Sequence, residues 1–122
     1  MDGAFREAVK KSANAIIVLN TSTVAPYRRK ITELGIKNRL PLLTESGNWV
    51  DDGDLMSYAA NDTESYRRIA TYVDKILKGT KPSDLPVEQP TKFELVFNLK
   101  TAKQIGVTIP QSVLFRADRV IK

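Results

Sequence analysis

The sequence predicts an α/β fold built around a mainly parallel β-sheet. Short apolar segments rich in β-branched residues alternate along the chain with longer segments whose apolar residues recur every three or four positions. The first pattern is typical of strands buried on both sides, and the second of helices that cover a sheet. The 122 residues suggest one domain and are enough for a hydrophobic core.

The first half of the chain alternates helix and strand. The predicted elements are a helix from Asp2, a strand at Ala15–Leu19, a helix at Ala25–Lys37 and strands at Pro41–Thr44 and Leu55–Ala59. Asp2 can cap the first helix, and the wholly apolar Ala15–Leu19 is expected to be buried on both sides. Residues 45–54 are predicted to form a polar loop, in which Asp51, Asp52 and Asp54 make a solvated turn.

The longest helix is predicted after Asn61. Asn61 and Glu64 have the spacing of a capping box, and Gly79 ends the helix before a proline-rich connector. Its apolar residues form one continuous stripe: Tyr66, Ile69, Ala70, Val73, Ile76 and Leu77. Tyr66 is expected in the core. Alternating residues from Phe93 to Leu99 then predict a strand, and helices are predicted near Lys100–Ile105 and Pro110–Ile121.

The amino-acid composition excludes several kinds of catalytic and metal-binding site. The chain has no cysteine and no histidine, which excludes disulfides, thiol nucleophiles, Cys/His zinc sites and Ser-His triads. It has no glycine-rich phosphate loop and no GxSxG, and "DDGD" lacks the order of a calcium loop. We therefore predict no enzyme, no metal and no cofactor. The net charge is +5, but the basic residues are scattered over helix faces, so no nucleic-acid partner is predicted.

Polar residues follow the carboxyl ends of the three predicted parallel strands, where ligands of open α/β sheets bind. The candidate ligand-binding residues are Asn20, Thr21, Ser22, Thr23, Ser57 and Tyr58, with Glu45 and Trp49 as further possibilities. Two alternatives stay open. The segment "NTST" is also a common helix-capping sequence, and a loop tryptophan can pack on its own domain instead of stacking on a ligand.

Long stretches of the chain resemble one family of transport proteins. The stretch "YVDKILKGTKPSDLPVEQPTKFELVFNLKTAKQIGVTIPQSVLFRADRVI" at Tyr72–Ile121, "LMSY" at Leu55–Tyr58, "YRR" at Tyr66–Arg68 and "NTSTVA" at Asn20–Ala25 carry the likeness. The chain resembles the C-terminal half of the ABC transporter substrate-binding proteins that include lipoproteins binding tryptophan and other aromatic amino acids. The likeness covers nearly the whole chain, but Asp54 and Ala59 stand where the family often has glycine in "GGLMSYG".

The resemblance implies a type I periplasmic-binding fold, in which two lobes close on a small polar or amino-acid-like solute. This chain would be the second lobe, a three-layer αβα, flavodoxin-like unit. Residues 1–60 would form its α/β core, residues 61–90 a helix and connector that pack on an absent first lobe, and residues 91–122 a hinge strand and closing helices. A ligand-sensing domain of a regulator with the same fold is the alternative.

The resemblance also implies partners and a location. An ABC permease would be the membrane partner, and the parent proteins would be periplasmic or membrane-anchored outside the cytoplasm. The N-terminus "MDGAFREAVKK" has no apolar segment, so no signal peptide is predicted in this chain. Because a truncated chain would leave the long helix without its usual cover, a homodimer through Tyr66, Ile69, Val73 and Ile76 is expected.

Overall fold

The computed structural model describes residues 1–122 and contains six α-helices and five strands. The helices are α1 Asp2–Lys10, α2 Arg28–Lys37, α3 Gly47–Asp51, α4 Asp62–Leu77, α5 Leu99–Ile105 and α6 Gln111–Leu114. The strands are β1 Ile16–Val18, β2 Leu42–Thr44, β3 Met56–Ala60, β4 Phe93–Asn98 and β5 Arg119–Ile121. Short 3₁₀ turns lie at Ala25–Tyr27 and Pro82–Asp84. None of the helices has the length and apolarity needed to cross a membrane.

One sheet holds all five strands in the order β1-β2-β3-β4-β5. Strands β1, β2 and β3 pair in parallel, and so do β4 and β5. The prediction of an α/β fold with a mainly parallel sheet is therefore confirmed. Register aligns Val18 with Thr44 and Thr44 with Ser57, so β1 and β2 reach their carboxyl ends together, whereas β3 continues to Ala60.

The chain divides into two compact units, one made of residues 1–59 and 94–122 and the other of residues 60–93. The first unit holds the hydrophobic core. Its main cluster combines Phe5, Val18, Ile31, Leu40, Leu42 and Trp49, and a second cluster combines Leu55, Ala102 and Ile105. The packing roles expected for residues 61–90 and 91–122 stay predictions.

Strand β1 is covered on one side only. Val18 lies in the core, but the side chain of Ile17 is 70% exposed and that of Leu19 is 61% exposed. Burial on both sides was expected because every residue of the segment is apolar, and that expectation is wrong for this chain. β1 is an edge strand that pairs with β2 alone.

Residues 45–54 are not a solvated loop. Five of them form α3, and Asp54 is buried with its carboxylate accepting a hydrogen bond from the Thr32 hydroxyl at 2.5 Å. Asp52 forms an ion pair with Arg28 at the start of α2, and Asp51 pairs with Arg119. Asp51, Asp52 and Asp54 therefore connect α3 and the residues after it to α2 and β5, although the polar composition of this segment predicted a solvated loop.

Both ends of the chain differ from the prediction. Asp2 is the first residue of α1 and does not cap it; Met1 is the N-cap, and the Asp2 carboxylate lies 3.0 Å from Lys30 Nζ. The predicted last helix stops at Leu114, and the β-branched pair Val120 and Ile121 joins the sheet as β5. Asp118 aligns this strand, because its carboxylate accepts a hydrogen bond from the Leu95 backbone N–H.

Residues 60–93 consist of α4 and the connector after it. The Asn61 side chain accepts a hydrogen bond from the Glu64 backbone N–H at 2.9 Å, as the capping spacing predicts. α4 has no buried side chain, and Tyr66 is 72% exposed, so the expectation that Tyr66 lies in the core is wrong. The connector is held to the helix by the Arg68–Glu88 pair and by the Tyr72 hydroxyl, which donates to the Pro86 carbonyl at 2.6 Å.

Candidate functional site

The carboxyl ends of β1 and β2 bring two of the nominated residues together. The backbone N–H of Asn20 donates a hydrogen bond of 2.8 Å to Oε1 of Glu45, and both residues are exposed. The contact joins the segment after β1 to the segment after β2. It follows from the parallel register, which ends both strands at the same edge.

The segment Asn20–Thr23 forms the turn that precedes α2, and its role in ligand binding stays a prediction. The Thr21 hydroxyl accepts a hydrogen bond from the Val24 backbone N–H at 3.3 Å, and the Thr21 carbonyl accepts from Ala25 at 2.8 Å. Thr21 therefore shapes the turn that leads into the 3₁₀ segment and α2. Ser22 and Thr23 are exposed at this edge of the sheet.

Strand β3 contributes one buried and one exposed residue. Ser57 is buried in the sheet beside Thr44, while the side chain of Tyr58 is 58% exposed. The paired register ends at Val18, Thr44 and Ser57, and Leu19, Glu45 and Tyr58 are the next residues along the chain after each of them. We call these three exposed residues the edge row.

Leu19 was not among the nominated residues. The sequence marks it only as the last residue of an apolar strand, which favours burial. Its place in the edge row depends on the register between β1 and β2 and on the uncovered side of β1. Leu19 could have been nominated only if the pairing of β1 with β2 had been known, and the sequence does not show that pairing.

Trp49 does not belong to this edge. It lies in α3, is 2% exposed, and packs in the main core cluster. Its indole has no open face for stacking on a ligand, so the ligand-binding possibility is contradicted and the packing alternative describes the residue. The glycines on either side of it suggested a loop, whereas α3 turns the ring inward.

Helix α3 fixes the path of the chain directly after Glu45. The Arg119 guanidinium holds both carboxylate oxygens of Asp51, at 2.5 and 3.2 Å, and approaches the Gly47 carbonyl at 3.5 Å. This contact anchors both ends of the short helix to β5. The pair also raises the pKa of Arg119, because the Asp51 carboxylate accepts hydrogen bonds from its guanidinium. Glu45 is therefore carried by a fixed turn and not by a free loop.

A separate open groove of about 860 Å³ lies within residues 60–93. It runs between one face of α4 and residues 88–92, and it contains none of the nominated residues. Its main charged groups, Arg68 and Glu88, bind each other through two hydrogen bonds. Further polar residues line the groove as well: Asn61, Glu64, Ser65, Gln89, Thr91 and Lys92.

Comparison with known proteins identifies the family. The family model described as "ABC transporter substrate binding protein" matches residues 1–121. No curated protein matches the chain. The chain has a TM-score of 0.87 and 28% identity to a conserved domain protein from Vibrio cholerae O1 biovar El Tor, covering 97% of this chain and 40% of that one.

Two further solved structures are similar. An ABC domain from Streptococcus pneumoniae, solved in complex with L-Trp, has a TM-score of 0.81 and 30% identity over 93% of this chain and 40% of its own. A ligand-free, open substrate-binding protein with adhesive properties from Clostridium difficile has a TM-score of 0.71 and 20% identity over 99% of this chain and 40% of its own, and shows the fold alone. The chain thus spans 40% of the length of these three proteins. Because the family model matches almost every residue, the chain belongs to the family of ABC transporter substrate-binding proteins.

Proposed function

We propose that the chain forms one lobe of the solute-binding component of an ABC transporter and that it binds a small polar or amino-acid-like ligand without catalysing a reaction. The observation that carries the proposal is the contact between Asn20 and Glu45, which gathers exposed polar groups where parallel strands end. Family membership and the L-Trp bound to the pneumococcal relative support an amino-acid-like ligand. No finding supports the alternative of a regulator's sensing domain.

The proposed mechanism is closure of two lobes around the ligand. The carboxyl edge of β1–β3 forms one wall of the cleft, with Asn20, Ser22, Thr23 and Tyr58 beside the ligand and Glu45 within reach of it. The second wall comes from the other lobe, and the closed form then docks on an ABC permease outside the cytoplasm, in the periplasm or at the membrane surface. The 40% coverage of the solved relatives supports the proposal that this chain supplies one lobe of a two-lobe protein.

A single wall buries only part of a ligand, so the chain by itself should bind weakly. We expect L-tryptophan to bind the isotope-labelled chain with a dissociation constant in the millimolar range, about −4 kcal/mol. Chemical-shift changes in NMR spectra should cluster at Asn20–Thr23, Glu45 and Tyr58. Calorimetry at micromolar concentrations should show no binding heat.

Two results would contradict this proposal. Micromolar affinity would mean that the chain holds a complete site of its own. Shift changes spread over residues 60–93, with none near Glu45, would place binding in the groove beside α4 and not at the carboxyl edge of the sheet.

We also propose that the exposed stripe of α4 is covered by a second copy of the chain. Tyr66, Ile69, Val73 and Ile76 are all exposed along one side of the helix. Burying an Ile or Leu side chain contributes about 1.5–3 kcal/mol, so leaving several in water is unfavourable. A symmetric dimer through this stripe would remove them from water.

A further inference from the structure

We propose that the α4 stripe of one copy packs on an open sheet face of a second copy, and that the second copy makes the same contact in return. The α4 stripe is the exposed apolar side of that helix, formed by Tyr66, Ile69, Val73 and Ile76. The inference rests on the dimer proposed above, since it names the surface of the second copy that covers the helix. It does not depend on solute binding at the carboxyl edge of the sheet.

The strand register defines the sheet face that receives the helix. Ile17, Leu43 and Met56 are paired across β1, β2 and β3, so their side chains lie on the same side of the sheet. Tyr58 follows Met56 by two residues in β3 and shares that side. We call these four residues the open face, because Ile17 and Tyr58 are exposed and Leu43 and Met56 are only half-buried.

The opposite side of the same strands is closed. Val18, Leu42, Thr44 and Ser57 lie there, and all four are buried. Parallel sheets are normally covered by helices on both faces, and the open face lacks a complete cover of this kind. Since none of its four residues is charged, the surface that complements the open face is an apolar one.

The helix and the open face match in size. Three neighbouring strands span roughly 10 Å, which is the diameter of one α-helix with its side chains. Helix α4 has 16 residues. It is therefore about 24 Å long, enough to run along the whole of β3, the longest of the three strands. One helix from a second copy is thus sufficient to cover the open face.

A reciprocal contact covers both surfaces with a single twofold axis. Each copy contributes one helix and one open face, and in a twofold dimer every contact occurs twice with the roles exchanged. Packing α4 against α4 of the second copy would cover the two helices but leave both open faces in water. Because burial of apolar surface drives association, the arrangement that covers helices and faces together is favoured.

The chain has no cysteine, so single introduced cysteines can report which surfaces meet. Ile17→Cys and Val73→Cys each place one thiol at an exposed site, and a short bismaleimide links thiols that lie side by side. We expect a mixture of the two variants to give at least about tenfold more cross-linked dimer than either variant alone, because only mixed dimers bring the thiols together. Phe115→Cys, exposed but outside both surfaces, is the matched control and should give no excess with either variant.

A second measurement does not need cross-linking. Ile17→Lys should shift the chain from dimer to monomer in sedimentation, because it places a charge between the helix and the open face. Phe115→Lys adds the same charge outside both surfaces and should leave the dimer intact. Far-UV circular dichroism of the two variants shows whether each keeps the wild-type secondary structure.

The possible failures are distinct. Cross-linking of Val73→Cys to itself, or an intact dimer in Ile17→Lys, would overturn the inference and place helix against helix. An equal yield of cross-linked dimer in the mixture and in the single variants would overturn it as well. A wild-type chain that stays monomeric at micromolar concentrations would remove the proposed dimer together with the inference. None of these results bears on solute binding, which the NMR titration with L-tryptophan tests separately.

Discussion

Asp54 has a buried environment that does not suit a charged carboxylate. Its carboxyl is buried, with one oxygen accepting the Thr32 hydroxyl and Oδ2 without a hydrogen-bond partner. Burial raises the pKa of Asp54 from 3.8 to about 6, the Asp52 carboxylate adds to the rise, and the Thr32 hydrogen bond and Arg28 oppose it. The folded protein therefore holds this proton more tightly than the unfolded chain does.

The free energy of unfolding should consequently fall as the pH rises. Stability due to Asp54 is complete below about pH 4 and is lost as the pH passes through about 6, a decrease of roughly 2–3 kcal/mol by pH 8. Asp54→Asn should remove this decrease, because the amide does not ionise and its oxygen can still accept from Thr32. Urea unfolding at pH 4.5, 6 and 8 measures the effect. Glu33→Gln should retain the wild-type pH dependence; an unchanged dependence in Asp54→Asn would contradict the assignment.

The sequence predicts the structural positions of some single residues better than those of others. Asn20 and Glu45 could be nominated because both follow apolar strands, and parallel strands end at one edge. Trp49 and Asp54 could not be placed, because their polar and glycine-rich neighbours indicate a loop. Their burial comes from α3 and from contacts with α2, which lies far away in sequence.

The approach of helix α2 to strand β2 depends on Gly35. A β-carbon at this position would lie 2.7 Å from Cγ and Cδ1 of Leu42, a core residue. Glycine is otherwise a poor residue inside a helix, disfavoured by about 1 kcal/mol relative to alanine. Its presence in α2 is therefore explained by the close packing of the helix on the strand.

Gly35→Ala should lower the free energy of unfolding by about 1–3 kcal/mol, although helix propensity alone predicts a gain. Gly3→Ala in α1 is the matched control, since a β-carbon there meets no atom within 4 Å. It should be neutral or stabilise by up to about 1 kcal/mol. Urea midpoints of both variants test the pair. A stabilised Gly35→Ala would show that Leu42 moves aside without cost.

Whole elements are predictable where local pattern and tertiary packing agree. The cap of α4 at Asn61 and the positions of β2 and β3 follow from local signals. The last helix was predicted too long, because the final residues pair with β4 as a strand. The hydrogen bond from the Leu95 backbone to Asp118 favours this pairing over a longer helix. The one-sided cover of β1 depends on its place at the sheet edge, which no local pattern encodes.

On the scale of the whole molecule, residues 60–93 form a compact unit in which α4 has no buried side chain. An isolated helix of this length is marginal in water, so most of its stability has to come from packing. The Arg68–Glu88 pair and the hydrogen bond from Tyr72 hold the connector to it. The apolar stripe on the helix is left for another surface.

We expect sedimentation to show the chain as a dimer at micromolar concentrations, because the proposed second copy would cover this stripe. The double variant Ile69→Glu/Val73→Lys should shift it to monomer without unfolding residues 1–59. Phe115→Ser removes an apolar side chain that is also exposed but lies outside α4, and it should leave the dimer intact. A compact wild-type monomer under these conditions would remove the proposed interface.

Strand β1 has a consequence for how the protein behaves at high concentration. Its outer backbone edge is unpaired, and the five residues from Ala15 to Leu19 contain no charge and no proline to interrupt stacking. An unpaired strand edge of this kind is a template on which further chains add to form fibrils. Aggregation on warming should therefore start at this segment. The substitution Ile17→Lys, which places a charge at an exposed position of β1, should reduce that aggregation.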